Sequence, residues 1–167
     1  MLQAWDLDRC FSEVNVVTGT VVSSHRSLSR TRLRLRIGVQ TILHVRWRSD
    51  EGVTEPVRIR DRVTAVIPAE AVGLETGWFR RRTRRVNRWV GRILLVQADE
   101  PDLLITVKVF GETWTLRSRG YVVGAGRLPR AWETVNIVFD PEQVRLCLAS
   151  QGHGIVVRAG GGVQSDA

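Results

Sequence analysis

Val14-Asn15-Val16-Val17-Thr18-Gly19-Thr20-Val21-Val22 returns 72 residues later as Val86-Asn87-Arg88-Trp89-Val90-Gly91-Arg92-Ile93-Leu94. Each stretch reads Val-Asn, three residues, Gly, then an apolar run. A second phrase, Ile67-Pro68-Ala69-Glu70-Ala71-Val72-Gly73-Leu74, recurs as Phe139-Asp140-Pro141-Glu142-Gln143-Val144-Arg145-Leu146, and Glu70, Val72 and Leu74 meet their counterparts at the same spacing of 72. Two phrases sharing one offset mark an internal duplication, which sets the fold before any single element does.

Divided this way, the 167 residues make two units of about 65 residues each, a size that is marginal alone and favours packing together or oligomerisation. Apolar residues at 43% and charged residues at 25% are the composition of a globular chain. No apolar run nears the roughly 20 residues of a membrane span, and the opening residues, with Asp6, Asp8 and Arg9, do not read as a secretory signal. A cytoplasmic location without membrane insertion is expected. Cys10 and Cys147 lie in no CxxC spacing, and His25, His44 and His153 have no ligand partner three or four residues away, so no metal is expected. Lys108 is the one lysine in a net charge of +8, and half of that excess falls in the connector that contains Arg80-Arg81-Arg82-Thr83-Arg84-Arg85. Such a run serves an anion or is simply solvated.

The first copy reads as strands. Val14 to Val22 carries β-branched residues around Gly19, which suggests a bend or bulge there. Ser23 to Ser29 is polar and reads as a loop. Arg32-Leu33-Arg34-Leu35-Arg36-Ile37 alternates, as does Leu43-His44-Val45-Arg46-Trp47-Arg48 beyond a turn at Gly38-Val39-Gln40. That hairpin has an apolar face, to which Trp47 belongs, and a basic face of Arg32, Arg34, Arg36, Arg46 and Arg48. Arg62 to Ile67 is a further strand, and Val72 and Leu74 mark a short last one after Pro68. In the second copy Ile105, Val107 and Val109 face inward and the hairpin's outer face is nearly neutral; Gly111 lies 73 residues after Gly38, so the copies slip by one residue there. Five short strands per copy and no long helix predict an all-β chain of two small antiparallel barrels. Trp5, Trp78, Trp89 and Trp132 read as packing residues, filling the interface between barrels.

With these residues in view, each copy resembles the transport-associated OB domain (TOBE), also known as the Mop domain of molybdate-binding proteins. The family opens on Ser-Ala-Arg-Asn, three residues, Gly and Val; here the openings are Ser12-Glu13-Val14-Asn15 with Gly19, and Arg84-Arg85-Val86-Asn87 with Gly91. The closings are Pro68-Ala69-Glu70 with Val72 and Leu74, and Asp140-Pro141-Glu142 with Val144 and Leu146. The resemblance implies two tandem five-stranded OB-like barrels over 12–74 and 86–148, with a lead-in at 1–11, a basic linker at 75–85 and a flexible Gly-rich tail at 149–167. It implies a regulatory di-domain of a bacterial ABC importer ATPase, which stabilises the ATPase dimer and senses substrate. In that setting the partners are an ABC ATPase domain or subunit and a second copy of the chain, and the cytoplasmic protein sits peripheral to the inner membrane through the transporter. The alternative it implies is a free-standing, molbindin-like protein that binds molybdate or tungstate between barrels.

The chain has no GxxxxGK[ST], so no P-loop, and no GxSxG, HExxH or Cys-His spacing; it is not read as an enzyme. No cofactor is expected; the resemblance allows a bound oxyanion such as molybdate, tungstate or sulfate. An oxyanion requires converging N–H and hydroxyl donors with positive charge. Ser12, Asn15 and Asn87 hold the family's anion-facing opening, and Arg84 and Arg85 stand where its Ser-Ala would be. The closings lack the family's Lys and Ser, and carry Glu70, Asp140 and Glu142, which repel an anion. A plainer role for Asn15 and Asn87 is to cap a bulge at the strand start. The third and least favoured reading is a nucleic acid on the basic hairpin: no aromatic platform interleaves the arginines, so it would rest on backbone contacts alone, without base readout.

Overall fold

In a computed structural model, residues 14–48, 57–75, 87–99, 101–118, 128–150 and 153–157 are described. Eleven strands and two single 3-10 turns make up these residues. The strands are β1 (Val14–Arg26), β2 (Arg30–Ile37), β3 (Thr41–Arg48), β4 (Arg62–Pro68), β5 (Gly73–Glu75), β6 (Asn87–Asp99), β7 (Asp102–Val109), β8 (Glu112–Ser118), β9 (Thr134–Phe139), β10 (Arg145–Ser150) and β11 (His153–Val157). The chain is all-β, as the alternating patterns predict, and its strands form two antiparallel sheets ordered β11-β10-β4-β1-β2-β3 and β5-β9-β6-β7-β8.

Alternation decides which side chains enter each core. Val17, Val21, Leu33, Leu35, Leu43, Val45, Val63 and Ala65 are buried with Val144 and Leu146 in one unit. Trp89, Ile93, Ile105, Val107, Trp114, Leu116, Ile137 and Phe139 are buried with Ile67, Ala69 and Val72 in the other. Each fully buried side chain of this size stabilises by roughly 1.5–3 kcal/mol, which is what lets units this small fold. The sheets curl toward closure: the turn Ala69–Ala71 and strand β5 pack against β8, and the turn Pro141–Gln143 packs against β3.

The compact units do not coincide with the sequence copies. One unit holds 16–66 with 140–167, the other 67–139 with 1–15. The closing segment of each copy completes the barrel built by the other. Strand β10 pairs with β4 through Leu146↔Ala65 and Leu148↔Val63, and β5 pairs with β9 through Leu74↔Ile137. The local backbone explains the exchange. A hairpin from β4 into β5 needs a tight turn with positive φ. Instead Pro68 (φ −57, ψ 140) and Val72 (φ −98, ψ 119) are extended on either side of a single 3-10 turn, and Asp140 and Val144 repeat this in the second copy. The chain therefore runs onward and never folds back on β4 or β9.

Two local expectations change and a third is located. Gly19 is not the bulge: the register breaks later, between Val21 and Ser23, and in copy two between Ile93 and Leu95. Glycine is favoured because a neighbouring strand passes close by, β2 at Gly19 and β7 at Gly91. A Cβ on Gly19 would lie 2.6 Å from Ile37 Cδ1, and one on Gly91 would lie 2.4 Å from Val107 Cγ1. The slip between copies sits in the hairpin turn, which has three residues (38–40) in copy one and two (Phe110 and Gly111) in copy two. Both residues of the shorter turn take positive φ, 51 for Phe110 and 86 for Gly111, as a two-residue hairpin of the primed type demands. Last, the region expected as tail contains β11, whose Ile155, Val156 and Val157 pair with Leu148, Cys147 and Leu146. β-branched residues cover an edge that β10 would otherwise leave open.

Candidate functional site

Asn15 lies at the start of β1, where the resemblance places an anion-facing side chain. It is buried, and its carboxamide is engaged with the edge strand β8. Oδ1 accepts from the Thr115 backbone N–H at 2.7 Å, and Nδ2 donates to the Thr115 carbonyl at 2.8 Å. A longer contact of 3.5 Å reaches the Ile67 carbonyl. The side chain thus acts as a strand surrogate that satisfies an exposed edge. Asn87 is also buried, at the start of β6, opposite Phe139 in the ladder. Ser12, Arg84 and Arg85 lie outside the described residues, as does nearly all of the 75–85 linker.

The acids at the second closing have structural partners. Asp140 Oδ1 accepts from the Glu142 backbone N–H at 2.8 Å, so it caps its own 3-10 turn. Glu142 pairs with Arg46 at 3.3 Å. Neither stands as a bare charge, and the repulsion they were expected to exert on an anion is correspondingly smaller. Arg88 is held in a fork by Glu75, with Nε–Oε2 at 2.9 Å and Nη2–Oε1 at 3.0 Å, and Arg117 is held by Asp99 and Asp102.

Its fold resembles that of ModG. The crystal structure of that protein, described as the cytoplasmic molybdate-binding protein ModG with molybdate bound, matches with a TM-score of 0.66 and 20% sequence identity, over 80% of this chain and 95% of ModG. At that identity the likeness to ModG speaks for the fold alone. No family model matches the chain, and no curated protein sequence does.

On β2 the exposed set is Arg32, Arg34 and Arg36, joined by Arg30. Cross-strand register sets Arg30 opposite Arg48, Arg32 opposite Arg46, and Arg34 opposite His44. Arg32, Arg34 and Arg36 are exposed, Arg46 is mostly covered, and the Arg48 side chain lies outside the described set. Trp47 is in register with Thr31, and its side chain, like that of Arg48, lies outside the described set. His25 joins the face because the bulge after Val21 reverses the parity of β1 and sets His25 opposite Arg32. Parity alone would have found Arg30, but nothing in the sequence announced the reversal that recruits His25. His44 is held below its ordinary pKa of 6.5, first by partial burial and then by the positive charge of Arg34 and Arg46. Among the tryptophans, Trp89 packs edge-on against Phe110, Trp114 and Phe139, whereas Trp132 is 71% exposed at a positive φ of 70. Trp5 and Trp78 fall outside the described residues. Among the described residues no helix is long and apolar enough to cross a membrane, and no group of three His, Cys, Asp or Glu side chains could hold a metal.

Proposed function

We propose that this chain is a free-standing binder of a tetrahedral oxyanion of the molybdate and tungstate class. The observation that carries the proposal is the likeness in fold to molybdate-binding ModG over 95% of that protein's length. The chain's own chemistry is compatible with it. Its positive excess is almost all arginine, whose planar fork suits bidentate contact with an oxyanion, and Asp140 and Glu142 are engaged by a cap and an ion pair. In this reading Ser12, Arg84 and Arg85 are the donors. Asn15 fixes the strand opening through Thr115 and does not reach the ligand, and Asn87 holds the matching opening of the second copy.

Calorimetry against molybdate, tungstate, sulfate and phosphate tests the reading. Micromolar binding of one or two of these ions is expected, weakened at least tenfold in R84A/R85A. Silence with all four would overturn it. The rival, a regulatory di-domain seated on an ABC importer ATPase, would then be tested by co-purification with such a subunit.

A further inference from the structure

The arginines of β2 are set out in a way that stability alone does not explain. Arg30, Arg32, Arg34 and Arg36 are all exposed on one side of one strand, with neighbours about 7 Å apart. Across the ladder Arg32 is opposite Arg46 and Arg34 is opposite His44; on the other side His25 is opposite Arg32. Like charges directly opposite each other in a sheet are destabilising. The only acid that pairs with this face among the described residues is Glu142, and it reaches only Arg46. No ion pair holds Arg30, Arg32, Arg34 or Arg36 among those residues.

The second copy shows that the fold does not require such a face. Its equivalent hairpin sets Leu104 opposite Arg117 and Thr106 opposite Thr115, and Arg117 is neutralised by Asp99 at 2.8 Å and Asp102 at 3.1 Å. The outer face of the second barrel keeps one like-charged pair, Arg92 opposite Lys108, and its hairpin arginine is neutralised, whereas the first barrel carries four exposed arginines in a row on one strand.

We infer that the outer face of β1, β2 and β3 is a second binding surface, distinct from any oxyanion site, which takes the phosphodiester backbone of a nucleic acid without reading its bases. A row of planar forks about 7 Å apart is commensurate with successive phosphates, and each fork can grip one phosphate in bidentate fashion. Among the described residues no aromatic side chain is exposed between the arginines of this face, so bases are neither stacked nor discriminated. The surface therefore binds through charge, with little preference for sequence.

Fluorescence anisotropy of labelled 20-nucleotide DNA and RNA, single-stranded and duplex, across a salt series tests the inference on the full chain. Binding is expected to be equal for oligo-dT and oligo-dA and steeply salt-dependent, and the arms show whether one strand or a duplex is preferred. In R32S/R34S/R36S the slope of log K against log salt is expected to fall by about 2, since each lost phosphate contact removes roughly 0.7 for a single strand. Affinity at low salt should drop at least tenfold while the variant stays folded. The imidazole resonances of His44, followed by NMR, should titrate at higher pH once phosphates offset Arg34 and Arg46. An unchanged slope in the triple variant would overturn the inference. So would equal displacement by polyglutamate of matched charge, or preferential binding to vesicles of anionic lipid. Molybdate heats that are the same in wild type and triple variant would leave the oxyanion reading standing whichever way this result falls.

Discussion

At the residue scale, Asn15 and the two close-approach glycines show how few positions this fold leaves free. The Asn15 carboxamide both donates to and accepts from Thr115, so it replaces the two hydrogen bonds of a missing neighbouring strand. Asn15→Leu keeps the volume and leaves both part-buried backbone groups of Thr115 without this partner; unsatisfied groups cost about 1–3 kcal/mol each when buried. Urea unfolding should register a loss in that range, and a loss below about 0.5 kcal/mol would mean the contact contributes little in solution. Gly91→Ala is expected to destabilise by about 1–3 kcal/mol, because its new methyl meets Val107 Cγ1 at 2.4 Å and the Lys108 carbonyl at 3.3 Å. Val107→Ala should then recover part of that loss in the double variant, since the clash is with the Val107 side chain. The sequence signals both positions by repetition, but it could not say what they do. A glycine that admits a neighbouring strand and a glycine that makes a bulge look the same in one dimension.

At the scale of the element, the β1–β2–β3 face couples charge to pH. Alternation made the inward and outward sets of β2 and β3 legible, because a period of two leaves only two choices. The bulge in β1 was not legible, because one extra residue reverses parity without changing composition. It is held from outside the strand: Arg60 N–H donates to the Val21 carbonyl at 2.8 Å and Val21 N–H to the Asp61 carbonyl at 2.9 Å, with Trp132, Ile93 and Glu133 repeating the arrangement in copy two. On the resulting face the folded pKa of His44 lies below 6.5. As pH falls through 6.5, the unfolded chain takes up a proton that the native chain does not. Stability is lost in that window and levels off once pH passes below the folded value. Arg34→Ser removes the larger of the two charge contributions, so His44 should titrate closer to 6.5 by NMR and the acid-side loss of stability should shrink. If the His44 titration did not move, burial alone would set its pKa. The same substitution should raise the melting temperature at low salt, because it relieves repulsion from Arg32 and Arg36 along the strand.

At the scale of the whole molecule, the duplicated chain is divided differently by sequence and by packing. The repeat marks where each copy begins and ends, yet a strand's pattern specifies which face it buries and not which partner it pairs with, so the exchange of β5 and β10 could not be read from it. It follows from backbone direction at Pro68 and Asp140, where extended residues carry the chain away from its own barrel. This yields a prediction opposite to the one the repeat suggests. Ending the chain after Phe139 removes only segments of copy two by sequence, but it takes Val144, Leu146 and the whole β10 ladder from the unit built by copy one. That unit would lose its closing strand and two buried side chains, roughly 3–6 kcal/mol of apolar burial before the lost ladder is counted, against the 5–15 kcal/mol typical of a domain. Hydrogen exchange in the truncated chain should therefore rise across β1 to β4, with β6 to β9 remaining protected because β5 still pairs with β9. Adding back a peptide of residues 140–157 should restore protection to β4, where Leu146 and Leu148 pair with Ala65 and Val63. Loss of protection in β6 to β9 instead would mean that each copy closes its own barrel in solution, and the exchange would have to be abandoned.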